Sequence, residues 1–120
     1  MRVTKKTPTN KEEIKYFIDN ISFELPVDFI NFYQESNGGE IFTNNEYYII
    51  LWPLTEMIQL NVDYNVNEYA PNYFIFGSDG GDTAYCIEKT TGNIFEMPFI
   101  GMSNEEAIYK CKSLEDLFKS

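Results

Sequence analysis

The sequence contains no histidine, and Arg2 is its single arginine. The first absence excludes Ser-His-Asp and Cys-His catalysis and histidine-ligated zinc. It also removes the side chain that ordinarily titrates near neutrality. Cations are scarce as a class: nine Lys and Arg face nineteen Asp and Glu, a formal net charge of −10. A surface of that sign repels phosphate, which argues against nucleic-acid binding, because such proteins use Lys and Arg to release counterions. Cys86 and Cys111 stand at unrelated positions without CxxC spacing, so two free thiols in a reducing compartment are expected. Long apolar runs are missing too. The longest, Tyr47-Tyr48-Ile49-Ile50-Leu51-Trp52, stops at Pro53 and has the length of a buried strand. No apolar stretch of signal-peptide length follows the basic residues 1–7, so a cytoplasmic protein is expected.

What is present is enough to fold. A chain of 120 residues makes one domain. With 43% hydrophobic and 17% aromatic residues it is too rich for a disordered acidic tail. The charge is unevenly placed. Residues 16–88 hold twelve acids and no Lys or Arg, whereas the cations gather at the two ends. A span without compensating cations should steer basic partners towards it, although net charge of either sign also simply keeps small proteins dispersed.

The pattern of residues predicts α+β architecture. Asn10, with Glu13 three positions on, reads as a capping box opening a helix whose stripe is Ile14, Phe17, Ile18 and Ile21. Leu25-Pro26 opens a second helix, buried through Phe29, Ile30, Phe32 and Tyr33 and closed by Asn37-Gly38-Gly39. Residues 40–42 and 46–51 read as strands around a Thr43-Asn44-Asn45 turn. Thr55 is expected to cap a short helix carrying Met57, Ile58 and Val62, before a loop-rich passage marked by Asn61, Asn65, Asn67 and Asn72. Residues 73–76 form a strand. Residues 83–88 and 93–97 form a hairpin in which Tyr85 and Ile87 should share an apolar face with Phe95 and Met97, and Cys86, Glu88, Ile94 and Glu96 should lie opposite. Residues 103–112 fit helix or strand, and Ser113 caps a terminal helix through Phe118. The whole is one α+β domain, a mainly antiparallel sheet packed against N-terminal and C-terminal helices.

Few residues offer chemistry. The cluster Gly77-Ser78-Asp79-Gly80-Gly81-Asp82 lacks the lysine of a phosphate loop and the GxSxG of a nucleophile elbow. It also lacks the DxDxDG spacing of a calcium loop, so it reads as a turn between strands or a contact loop presenting two carboxylates. Some of the nineteen acids could pair for glycoside hydrolysis, but no pair is marked out. Cys86 sits within a strand with no base beside it, and Trp52 beside Pro53 suggests packing. No catalytic residue, metal or cofactor is expected.

Three segments in order carry a resemblance. Leu25-Pro26-Val27-Asp28-Phe29 closing at Asn37-Gly38-Gly39, Phe76-Gly77 through Asp82 with the strand after it, and Ser113-Leu114-Glu115-Asp116-Leu117-Phe118 resemble the motifs of the SUKH superfamily, named partly for yeast Smi and Knr cell-wall regulators. The resemblance implies an antiparallel sheet backed by helices and a non-catalytic, protein-binding role. In bacteria it implies an immunity protein that binds a polymorphic toxin, often a nuclease, in the cytoplasm of the producing cell. Nucleases present cationic clefts, which the acid-only span would complement. The alternative is a regulatory or scaffold domain of the same fold without a toxin. Contact residues are expected among Glu40, Glu46, Glu56, Asp63, Glu68, Asp79 and Asp82, in or beside predicted loops and strand ends. For each, the competing reading is a solvated surface acid.

Overall fold

Seven strands cross a single antiparallel sheet in the order in which they occur along the chain. They are β1 (Arg2–Lys5), β2 (Gly39–Phe42), β3 (Tyr48–Leu51), β4 (Tyr73–Ser78), β5 (Thr83–Glu88), β6 (Ile94–Pro98) and β7 (Ile108–Cys111). The computed structural model describes residues 2–120. Helices α1 (Lys11–Asn20) and α2 (Val27–Glu35) lie between β1 and β2, and α3 (Leu54–Asp63) and α4 (Val66–Tyr69) between β3 and β4. Helix α5 (Leu114–Phe118) closes the chain. The expected fold class is the one found. Edge strand β1 had no signal in the basic N-terminal sequence. The ambiguous residues 103–112 divide into a 3-10 turn at Asn104–Glu106 and strand β7.

Local chemistry explains the helices. The Asn10 side chain accepts from the Glu13 N–H at 2.8 Å while Glu13 accepts from the Asn10 N–H at 3.0 Å, a complete capping box. Ile14 and Phe17 turn inward, but Ile18 is 41% exposed. Pro26 caps α2 one position before its first turn. Phe29 and Tyr33 are buried and Ile30 and Phe32 half-buried. Phe17 meets Phe74 edge-on at 5.9 Å between ring centroids, Phe29 meets Phe76 at 4.9 Å, and Phe32 meets Phe118 of α5 at 5.5 Å. Each fully buried ring contributes about 1.5–3 kcal/mol.

Four local expectations are corrected. Glu46 is not a strand residue: at φ 65 it belongs to the β2–β3 turn, and β3 starts at Tyr48. Thr55 does not cap α3. Pro53 occupies that position, and Asn37 accepts from the Leu54 N–H at 2.7 Å instead; Val62 is 61% exposed. Asn61 and Asn67 lie in helices, whereas Asn65, at φ 56, marks the break between α3 and α4 and Asn72 lies in the turn before β4. Finally, the register pairs Tyr85 with Glu96, Cys86 with Phe95 and Ala84 with Met97. Opposed residues share a face, so Tyr85 and Ile87 lie with Ile94 and Glu96, away from Phe95 and Met97. Parity within each strand was correct; the register between them fell one residue away from the one assumed.

Asn61 has a further role. Strand β3 pairs with β4 only at Ile50–Ser78 and Leu51–Gly77, with Trp52 N–H donating to the Phe76 carbonyl at 2.9 Å, before Pro53 turns the chain away. At the next position the Asn61 amide replaces the missing strand. It accepts from the Ile75 N–H and donates to the Ile75 carbonyl, both at 2.8 Å. One side chain thereby satisfies both backbone groups of a buried residue.

Candidate functional site

The segments that looked most like motifs do structural work. Asp28, on α2, accepts from the N–H groups of Leu114 and Glu115 at 2.7 and 3.3 Å, so it caps α5 from 86 residues away. Asn37 caps α3, and Tyr33 donates its hydroxyl to the Trp52 carbonyl at 2.6 Å. Gly38, at φ +88, packs where a Cβ would overlap the Leu51 carbonyl oxygen. At Gly77 a Cβ would overlap the Ile50 carbonyl oxygen, so β3 and β4 can approach only because the side chain is missing. Asp79 turns the β4–β5 loop by accepting from Gly81 at 2.8 Å and Thr83 at 3.2 Å, and Ser78 accepts from Gly80 at 3.1 Å. The glycine-rich cluster is thus a self-satisfied turn. Among the described residues no group of three His, Cys, Asp or Glu could hold a metal ion.

The seven acids expected to bind a partner do not form one patch. Glu46 and Asp79 come together in an open depression of about 420 Å³, beside Tyr47, Tyr48, Thr83, Tyr85, Glu96 and Lys110. Glu40 is close by, because its carboxylate accepts from the Tyr48 hydroxyl at 2.6 Å and raises the tyrosine pKa through that bond. Asp82 is exposed in the same β4–β5 turn as Asp79. Glu68 lies apart, on a second depression of about 410 Å³ with Phe23, Phe74 and Lys89. Asp63 is exposed at the end of α3, where it accepts from Gln59, and Glu56 faces a third hollow beside Lys6 and Pro53.

Glu96, Tyr47 and Tyr85 were missed. The register places Glu96 directly opposite Tyr85, a pairing that alternation within each strand could not reveal. The Tyr85 hydroxyl is pushed up to about 12 by burial first, then by the negative charge of Glu96 and Asp79. The cation-free span is also not cation-free in space. Arg2 lies over the Phe42 ring at 4.7 Å, and Lys110 lies over the Tyr47 ring at 4.4 Å. Both basic ends of the chain therefore return to the β2–β3 hairpin. The backbone follows the same path: the Asn45 N–H donates to the Ser120 carbonyl at 3.1 Å.

Nucleophilic chemistry finds little support. Cys86 is fully buried in β5, and burial, followed by Glu88 and Glu96, pushes its thiol far up, so it stays protonated. Both cysteines are free. No helix among the described residues is long and apolar enough to cross a membrane.

These features define a small α+β domain whose motifs hold its scaffold and whose exposed chemistry is carboxylate and tyrosine. Residues 8–120 match the SMI1/KNR4 family (SUKH-1), and the chain belongs to that family. No curated protein matches it. The three resemblances within residues 25–118 thus have a common structural basis: Asp28 of the first segment caps the helix of the third, and Gly77 of the second lies against β3.

Proposed function

We propose that this protein is an immunity protein that binds and neutralises a basic toxin domain, such as a nuclease, through contact and without catalysis. The observation that carries the proposal is the open depression between the β2–β3 hairpin tip and strands β5–β7, which Glu46, Asp79 and Glu96 line together with three tyrosines. Tyrosines are enriched at protein interfaces, and clustered carboxylates draw in and orient a cationic partner. Membership of the SMI1/KNR4 family supports a protein-binding role. The protein would act in the cytoplasm of the cell that makes the toxin, where it could cover the active site or block substrate from a neighbouring surface.

Co-expression with a toxin domain encoded beside this gene tests the proposal. Cells carrying both should survive where cells carrying the toxin alone die, and the purified proteins should associate more slowly as salt rises through the physiological range. Equal killing with and without this protein overturns the immunity reading. Association that ignores salt overturns electrostatic steering.

A further inference from the structure

We infer that the second depression, walled by the α1–α2 connection, helices α3 and α4 and the β5–β6 turn, is a binding pocket for a small monocarboxylic acid with an aromatic or branched apolar body, its carboxylate held by Lys89. The pocket shares no residue with the depression at the hairpin tip and stands independently of the toxin reading. Its volume of about 410 Å³ falls in the range of pockets that take small organic ligands.

Lys89 is the group that calls for an anion. It is the one Lys or Arg between Lys15 and Lys110. Among the described residues no carboxylate lies within 4 Å of its ammonium, although Glu68 lines the same pocket. An ammonium carries three N–H donors. One is spent on the Asn67 side-chain oxygen at 3.0 Å, and the others are left for a ligand. The lysine is also fixed in place beforehand. Its backbone N–H donates to the Asn72 carbonyl at 2.9 Å, and the left-handed turn at Asn65 starts the helix that carries Asn67. A donor ordered before the ligand arrives loses less freedom on binding. Burial draws the Lys89 pKa below the ordinary 10.5, as expected for an ammonium without a compensating charge.

The other walls decide what the carboxylate is attached to. Phe23 tilts against Phe74 at 5.2 Å between ring centroids, and Ile21, Ile58 and Val62 extend the apolar lining. Such a surface gains by covering a ring or a branched chain. Glu68 and the net charge of −10 oppose a second negative charge, so a monoanion suits the pocket better than a phosphate dianion.

Sodium 3-phenylpropionate titrated into the full chain, with amide chemical shifts as readout, tests the pocket. Saturable shifts should centre on Phe23, Asn65, Phe74 and Lys89, with a dissociation constant of about 1 mM, ordinary for so small a ligand. The neutral 3-phenylpropanamide lacks the charge and acetate lacks the ring; each should bind about tenfold more weakly. Lys89→Met should cost about tenfold in affinity for the acid, the value of one charge-assisted hydrogen bond. Lys112→Met removes the same charge from an exposed position outside the pocket and should cost less than about twofold. Val62 is 61% exposed, so Val62→Glu should leave the urea midpoint unchanged while its carboxylate repels the ligand. Equal binding of acid and amide, equal losses from the two methionine variants, or full affinity in a folded Val62→Glu chain each overturns the inference. Shifts that fail to saturate, or that spread over other surfaces, overturn it too. Tighter binding of the peptide Gly-Gly-Phe than of the free acid would assign the pocket to polypeptide C-termini instead. Toxin neutralisation unaffected by Lys89→Met leaves immunity standing whatever the pocket binds.

Discussion

The α2 scaffold and the β2–β3 hairpin tip use polar side chains in opposite ways. Around α2, Asp28, Tyr33 and Asn37 each bond a backbone group far along the chain, at Leu114, Trp52 and Leu54, and Asn37 also donates to the Thr55 hydroxyl. At the hairpin tip Tyr47 is half exposed, Lys110 lies over its ring, and Glu46 stands in a left-handed turn. Polar groups whose partners are internal fix a fold. Polar groups left facing outward are available to something else, and the difference suggests where substitutions should cost stability and where they should cost only binding.

The strongest way to break this comparison is at Asn61. Asn61→Ala removes the amide that completes the β4 ladder and leaves the N–H and carbonyl of buried Ile75 without partners. A loss of about 2–4 kcal/mol is expected in urea denaturation. A loss below ~1 kcal/mol would show that the scaffold does not depend on such bonds.

Alkali should act next, again through buried groups. Tyr33 and Tyr85 have pKa values raised by burial above the ordinary 10.0, Tyr85 to about 12, and Cys86 is raised from 9.0. Raised values favour the folded state while the unfolded chain keeps the same protons. Stability from these groups is therefore fully present below pH 9 and declines above it as the unfolded Cys86 ionises. The decline steepens above pH 10 as the unfolded tyrosines follow, and the Tyr85 share is gone once pH passes about 12. Denaturation midpoints followed across that range measure it, and a flat profile from pH 9 to 12 would contradict the burial assigned to these groups.

Asp28→Ala should cost about 1 kcal/mol, the usual value of a helix cap, visible as a lower denaturation midpoint. The smallest stability change belongs to the hairpin tip. Tyr47→Leu should stay within about 0.5 kcal/mol of the parent in the same denaturation experiment. A larger loss would mean that the tip also serves the scaffold and would blur the contrast.

The same contrast explains what the sequence made legible. Capping residues, the hydrophobic stripes of α1 and α2 and the β5–β6 hairpin are local signals, readable within a few residues. The family motifs are legible because their side chains answer fixed backbone geometry, as Gly77 does against β3. Asn61 misled because an asparagine beside other asparagines usually marks a loop, whereas here its amide completes a ladder 14 residues away. The hollow was only half visible. Glu46 and Asp79 stood in the acid count, but their meeting with Glu96 and Tyr85 depends on the cross-strand register. Lys110 comes from β7, and its contact with Tyr47 is set by tertiary packing that no local pattern encodes.

The consecutive strand order also has a consequence for synthesis. Because every strand pairs with its neighbour in sequence, the sheet can be laid down from the N-terminus as the chain leaves the ribosome. The latches that finish it arrive last. The Asp28 cap on α5, the Asn45–Ser120 bond and the Lys110–Tyr47 contact all wait for the C-terminal strand and helix. A chain cut before β7 would carry six of the seven strands but lack the Asp28 cap on α5, the Asn45–Ser120 bond and the Lys110–Tyr47 contact.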